Sequence, residues 1–143
     1  MSEAYDEDPH EGGCLCGEIR YRLKRRPTDV GHCHCSMCQR SSGALFVTWA
    51  TVPLTEFELL QGDPATYRSS PNAKRLHCGD CGTQLFFHVD EERRIDVTVA
   101  TLDEPDRVEA VRNIWVDTRR AAAKGFDRDL PDYVDEGPEP DGP

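Results

Sequence analysis

Seven cysteines fall into three tight groups, Cys14-x-Cys16, Cys33-x-Cys35-x-x-Cys38 and Cys78-x-x-Cys81, and thiols so spaced are the raw material of metal sites. A structural zinc is closed by four thiolates at roughly 2.3 Å, whereas a catalytic zinc keeps three protein ligands and leaves one position for water or substrate. The outer pairs, Cys14, Cys16, Cys78 and Cys81, can supply the first kind of site. The triplet Cys33, Cys35 and Cys38 can supply the second, so zinc is the expected cofactor, two ions per chain. Disulfides fit less well, because the count is odd and cysteines one residue apart rarely bridge in relaxed geometry.

An open position on a three-thiolate zinc can hold a substrate thiolate, activate water or polarise a carbonyl oxygen. Three thiolates leave such a centre with net negative charge and weaken it as a Lewis acid. Thiol handling is therefore favoured over demanding hydrolysis.

The formal charge of the 143-residue chain is -10. Nine of the 27 acids lie at the ends, five in residues 1–11 and four in residues 135–143, leaving 18 acids against 17 bases between them. Both ends read as acidic disordered tails, flanking one domain over residues 12–134. The start of the chain lacks a basic and then apolar stretch, so no signal peptide is read there and a cytoplasmic location is expected. No run approaches the ~18 apolar residues of a membrane span. Lys24-Arg25-Arg26 is too short a basic run for nucleic-acid binding.

The segments that must position the cysteines read as short strands. Residues 17–24 alternate Ile19, Tyr21 and Leu23 with polar neighbours, the period of a strand with one buried face. Residues 44–52 are β-branched and aromatic, and further strands are expected over 57–60, 66–70, 74–77, 84–89, 95–102 and 108–117. Residues 36–43 suit a helical turn capped by Ser36. Residues 119–124 suit a helix stopped by Gly125. The fold class is mainly β.

Other residues compete for roles. His32 and His34 flank Cys33 and can serve as ligands or general bases, or point away and pack. His77 beside Cys78 is a candidate to support that ligand, and Arg40 a candidate anion binder. Phe46 and Trp49 either line a pocket above the triplet or belong to the core.

The order Gly13-Cys14-x-Cys16-Gly17, Cys33-His34-Cys35-x-x-Cys38-Gln39-x-x-x-Gly43 and Cys78-x-x-Cys81-Gly82-Thr83-x-Leu85 resembles the family of the glutathione-dependent formaldehyde-activating enzyme and centromere protein V. The likeness continues through Asn113-Ile114-Trp115-Val116 to Leu130-Pro131-x-Tyr133. It implies a β-tent of antiparallel sheets around a structural zinc on Cys14, Cys16, Cys78 and Cys81, with a functional zinc on Cys33, Cys35 and Cys38. The activity it implies is a carbon–sulfur lyase reaction joining formaldehyde and glutathione as S-hydroxymethylglutathione, the substrate being a small thiol adduct or aldehyde. Glutathione would need a cation such as Arg40, Lys74 or Arg75 near the mouth of the site. The alternative is a non-catalytic, zinc-stabilised binding domain of the same fold.

Overall fold

The computed structural model describes residues 8–126 and 130–139. Among these residues ten strands form two sheets. The smaller has the order β1 (His10–Gly13), β2 (Arg20–Leu23), β5 (Phe57–Gln61), all antiparallel. The larger adds β3 (Asp29–Cys33), β4 (Val47–Pro53), β6 (Ala65–Ser70), β7 (Ala73–His77), β8 (Gln84–Val89), β9 (Arg94–Thr98) and β10 (Arg112–Ile114). Its order is β10-β3-β4-β9-β8-β7-β6. Among the described residues a single α-helix, α1 (Ser36–Ser42), interrupts the strands.

The mainly β class is as expected, and most strands lie where alternation placed them. β1, however, begins at His10, so ordered structure reaches into the segment read as an acidic tail; residues 1–7 and 140–143 lie outside the described residues. Three other segments also differ. The strand expected over 95–102 ends at Thr98, where Thr101 Oγ1 donates to the Thr98 carbonyl at 2.8 Å and closes a 3-10 turn. The strand expected over 108–117 shrinks to β10, which pairs parallel with β3, the one parallel pair among the named strands. Between 119 and 124 there is only a 3-10 turn at Ala121–Ala123, too short to nucleate a helix without packing.

The main core lies where the small sheet covers one face of the large one. Tyr21, wholly buried, meets Phe86 edge-on at 5.1 Å, and Phe57 meets the same ring at 5.1 Å. Leu23, Val52, Val97 and Leu85 fill the space between. The Tyr21 hydroxyl lies 2.7 Å from Thr101 Oγ1, so this large side chain is buried without an orphaned oxygen. Arg22 meets Glu11 at 2.8 Å, a tie across the β1–β2 pair, and Arg20 forks onto Asp103 at 2.6 and 3.0 Å, tying β2 to the segment after β9.

Gly62 joins β5 to β6 at φ 89, and a Cβ there would stand 2.5 Å from the Glu18 carbonyl oxygen. Both faults are backbone faults. Gly62→Ala is expected to cost about 2 to 4 kcal/mol, from left-handed strain and overpacking together. Urea denaturation checks it; a loss under 0.5 kcal/mol, as an order-of-magnitude bound for a neutral surface change, would contradict this reading of the turn.

Candidate metal centres and cleft

The outer cysteine pairs occupy the tips of two hairpins, one from each sheet. Cys14 and Cys16 lie in the β1–β2 turn and Cys78 and Cys81 in the β7–β8 turn. Glycines at φ 84 (Gly17) and φ 81 (Gly82) let each turn fold back, with Gly17 N donating to the Cys14 carbonyl and Gly82 N to that of Cys78. All four Sγ atoms fall within 4.8 Å of one another. Cys16 Sγ stands 3.6 Å from Cys14 Sγ and 3.7 Å from Cys78 Sγ, close to the ~3.8 Å edge of a tetrahedron with zinc–sulfur bonds of 2.3 Å. All seven cysteines are free thiols, so disulfide pairing is not what brings them together.

Backbone amides already aim at these sulfurs. Ile19 N donates to Cys14 Sγ at 3.2 Å and Cys81 N to Cys78 Sγ at 3.5 Å. Thr83 ties the hairpins, accepting from Leu15 N at 3.0 Å while its hydroxyl lies 3.2 Å from Cys81 Sγ. That hydroxyl, followed by nearby amides, pulls the Cys81 thiol down to about 5. This donor set suits a closed site for a soft divalent ion.

The triplet is built differently. Cys33 ends β3, Cys35 is the N-cap of α1, and Cys38 sits in the first turn. Cys35 Sγ, not Ser36, accepts the orphan amide of Cys38 at 3.3 Å, because Cys35 holds the extended conformation a cap needs. The Cys33 and Cys38 sulfurs are 3.4 Å apart, and the three Sγ atoms converge as one group.

Two groups from the sheet support Cys38. Trp49 Nε1 donates to its Sγ at 3.4 Å, and both terminal nitrogens of Arg75 point at it from 3.7 and 3.8 Å. Arg75 is only 5% exposed and lies over the Phe87 ring at 5.0 Å. The Cys33 hydrogen bond, with those from Trp49 and Cys35 and the Arg75 charge, brings the Cys38 thiol down to about 5 despite its burial. The same sharing pushes Cys33 up.

A cleft of about 650 Å³ opens over the triplet, with Trp49 and Phe87 in its wall and Met37, Ile114 and Trp115 also lining it. Three further charged residues line it. Glu92 and Arg94 pair at 3.0 Å. Asp96 accepts a 2.5 Å hydrogen bond from Thr51 Oγ1, has no ion-pair partner among the described residues, and burial raises its carboxyl above the usual range.

The remaining expectations sort cleanly. Trp49 lines the cleft, and Arg75 is the cation nearest the triplet; Arg40 is exposed and, like Lys74, is not among the cleft residues. The histidines join neither sulfur group. His34 Nε2 bonds Asn113 Oδ1 at 2.9 Å and His32 Nδ1 bonds Thr48 Oγ1 at 2.7 Å, with Phe46 packed against both rings. Phe87 and Asp96 carried no signal as site residues. Both sit in strands whose alternation revealed one buried face, while nothing local shows that the opposite face is also enclosed.

The family model for the glutathione-dependent formaldehyde-activating enzyme matches residues 9–118. A Schizosaccharomyces pombe protein named as an uncharacterized lyase is 29% identical over 85 residues, covering 54% of this chain and 56% of its own. A Podospora anserina protein provisionally named a glutathione-dependent formaldehyde-activating enzyme is 32% identical over 110 residues, 69% of this chain and 51% of its own. The chain thus spans about half the length of these curated relatives. A crystal structure of a Rhodobacter sphaeroides protein superposes with a TM-score of 0.58 at 25% identity, covering 72% of this chain and 98% of that one. With the cysteine groups, glycines and sheets arranged as described, the chain belongs to the glutathione-dependent formaldehyde-activating enzyme family.

Proposed function

We propose that this chain is a zinc-dependent enzyme of the carbon–sulfur lyase type, acting on a small thiol adduct or aldehyde. Cys14, Cys16, Cys78 and Cys81 would hold one ion that closes the two sheets into a β-tent. Cys33, Cys35 and Cys38 would hold the second. The observation carrying this reading is a group of three converging sulfurs, with no fourth Cys, His, Asp or Glu in it among the described residues, at a cleft sized for a small molecule. A zinc ion there would keep a substrate thiol deprotonated and polarise a carbonyl oxygen.

The chain's own groups divide the remaining work. Arg75 and Trp49 hold Cys38 as a thiolate and fix its direction. In adding a thiol to formaldehyde the S–H proton leaves, a C–S bond forms, and the carbonyl electron pair moves to oxygen, which takes up a proton. Asp96 is placed to accept the first proton and return the second. Its raised carboxyl and single hydroxyl partner suit it to both states.

Metal analysis separates the two sites. Cys81→Ala is expected to lose zinc and fold together, since a structural zinc supplies roughly 10 kcal/mol of folding free energy. Cys35→Ser should lose about one equivalent of zinc with an unchanged circular dichroism spectrum. Unfolding of Cys35→Ser, or a fully folded and zinc-replete Cys81→Ala, would reverse the assignment.

The reaction itself is tested by NMR exchange between free and hydroxymethylated glutathione, with wild type and Cys35→Ser at equal concentration. Faster exchange in the wild type is expected; equal rates, with no measurable binding of glutathione or another thiol, would leave the binding-domain reading.

Asp96 gives a stability test with a definite sign. A carboxyl whose folded pKa is raised costs nothing while both states are protonated. The cost grows as pH rises past the unfolded value and is complete above the folded one. Asp96→Asn should therefore be more stable than wild type at pH 7, with the difference vanishing below the ordinary carboxylate range, and should exchange more slowly. A variant less stable at pH 7 would mean the carboxylate is structural.

A further inference from the structure

The walls of the cleft say what kind of thiol it suits. Trp49 and Phe87 present aromatic surface beside the triplet, and Met37, one residue before Cys38, adds a flexible thioether. Trp115 completes the rim and is 69% exposed. Its backbone is left-handed, φ 57, which costs a non-glycine residue about 1 to 2 kcal/mol. The turn carrying it is nevertheless anchored, since Thr118 Oγ1 lies 3.2 Å from the Trp115 carbonyl and 2.8 Å from that of His34. An anchored, strained, exposed indole beside a cleft is surface waiting for a ligand rather than core.

The charges do not match an anionic tripeptide. Glutathione carries two carboxylates and one ammonium. Of the cations in the cleft lining, Arg75 is engaged by Cys38 and Phe87, and Arg94 by Glu92. Asp96 and Glu92 put negative charge in the same lining.

We propose that the thiol taken by this cleft carries an uncharged, aromatic or similarly apolar body that seats against Trp49, Phe87 and Trp115, with its sulfur at the triplet. This rests on the thiol-adduct reading above and specifies the substrate class within it. The body buries apolar surface against the rings, while the sulfur supplies the fixed attachment. Discrimination then comes from apolar contact, which is worth about tenfold or more per buried group of methylene size in a fitted pocket.

Both tryptophans of the chain line the cleft, so intrinsic fluorescence reads its occupancy directly. Zinc-replete protein, dialysed free of excess metal, is titrated with benzyl mercaptan, 2-mercaptoethanol, glutathione and benzyl alcohol. The expected order is benzyl mercaptan tightest, with Kd at least about tenfold below those of 2-mercaptoethanol and glutathione. Benzyl alcohol should bind far more weakly than its thiol counterpart. Trp115→Ala, read through Trp49, should reduce the benzyl preference severalfold and leave 2-mercaptoethanol unchanged; Cys35→Ser should remove binding of all three thiols. Glutathione binding as tightly as benzyl mercaptan would overturn the apolar-body proposal and leave the thiol reading standing. Equal binding of benzyl alcohol and benzyl mercaptan, or no binding of any thiol that depends on Cys35, would overturn both.

Discussion

Side chains of a strand alternate between its two faces, and five neighbouring strands of the large sheet put that alternation to two uses. Asp29, Thr51, Asp96, Phe87 and Arg75 stand side by side across β3, β4, β9, β8 and β7. Their neighbours one position along, Val30, Ala50, Val97, Phe86 and Leu76, form or pack against the main core. The first row leads to the cleft and to Cys38. A slip of one residue in any pairing would exchange the two sets, placing Asp96 and Arg75 under Tyr21 and Phe57. The same register therefore specifies core and site together, and the aromatic cluster of Tyr21, Phe57 and Phe86 is what makes the alternative registers costly.

The two cysteine groups stand in different relations to that sheet. The triplet is preorganised by the chain: Cys33 is fixed by the β3 ladder, Cys35 by its capping role, and Cys38 by α1, Trp49 and Arg75. The outer four sulfurs come from hairpin turns of separate sheets, joined there by Thr83. Four thiolates without a counter-ion repel one another, so such a corner calls for a cation in a way the Arg75-backed triplet does not. On the proposed assignment a closed site would fall where the sheets need joining, and a site of three where an arginine already carries part of the charge.

How much of this was legible follows from the range of each interaction. Cysteine spacing, turn glycines and period-two alternation act within a few residues, so the two sulfur groups, the mainly β class and strands such as β8 (Gln84–Val89) were readable from local pattern. β10 is shorter than the sequence predicts: Val108, Ala110 and Ile114 suggest alternation, whereas the pairing comes from β3, about 80 residues earlier in the chain. β1 is hidden because His10 and Glu11 read as the end of the acidic tail, and Gly12 and Gly13 carry no alternation; a Cβ at Gly12 would strike Tyr21 and the Thr101 carbonyl, and one at Gly13 the Ile19 carbonyl. The ambiguity of His32 and His34 was likewise tertiary. Their partners Thr48 and Asn113 come from β4 and β10.

Two residues on the cleft row work against stability. Arg75 is buried with Nε lacking a partner among the described residues, and Asp96 is half-buried with one hydroxyl as its hydrogen-bond partner. A core free to choose would place apolar side chains at both positions, since burying a charge costs several kcal/mol unless it is fully matched. Phe87 lies between them on the central strand of the three and shows the apolar option was open at the adjacent place. A cation aimed at a sulfur and a carboxyl with a displaced proton affinity are what thiol chemistry requires within reach of one cleft. That the same lateral row holds both, separated by one aromatic ring, is a placement that packing alone does not account for and that the proposed reaction between a thiol and a carbonyl would.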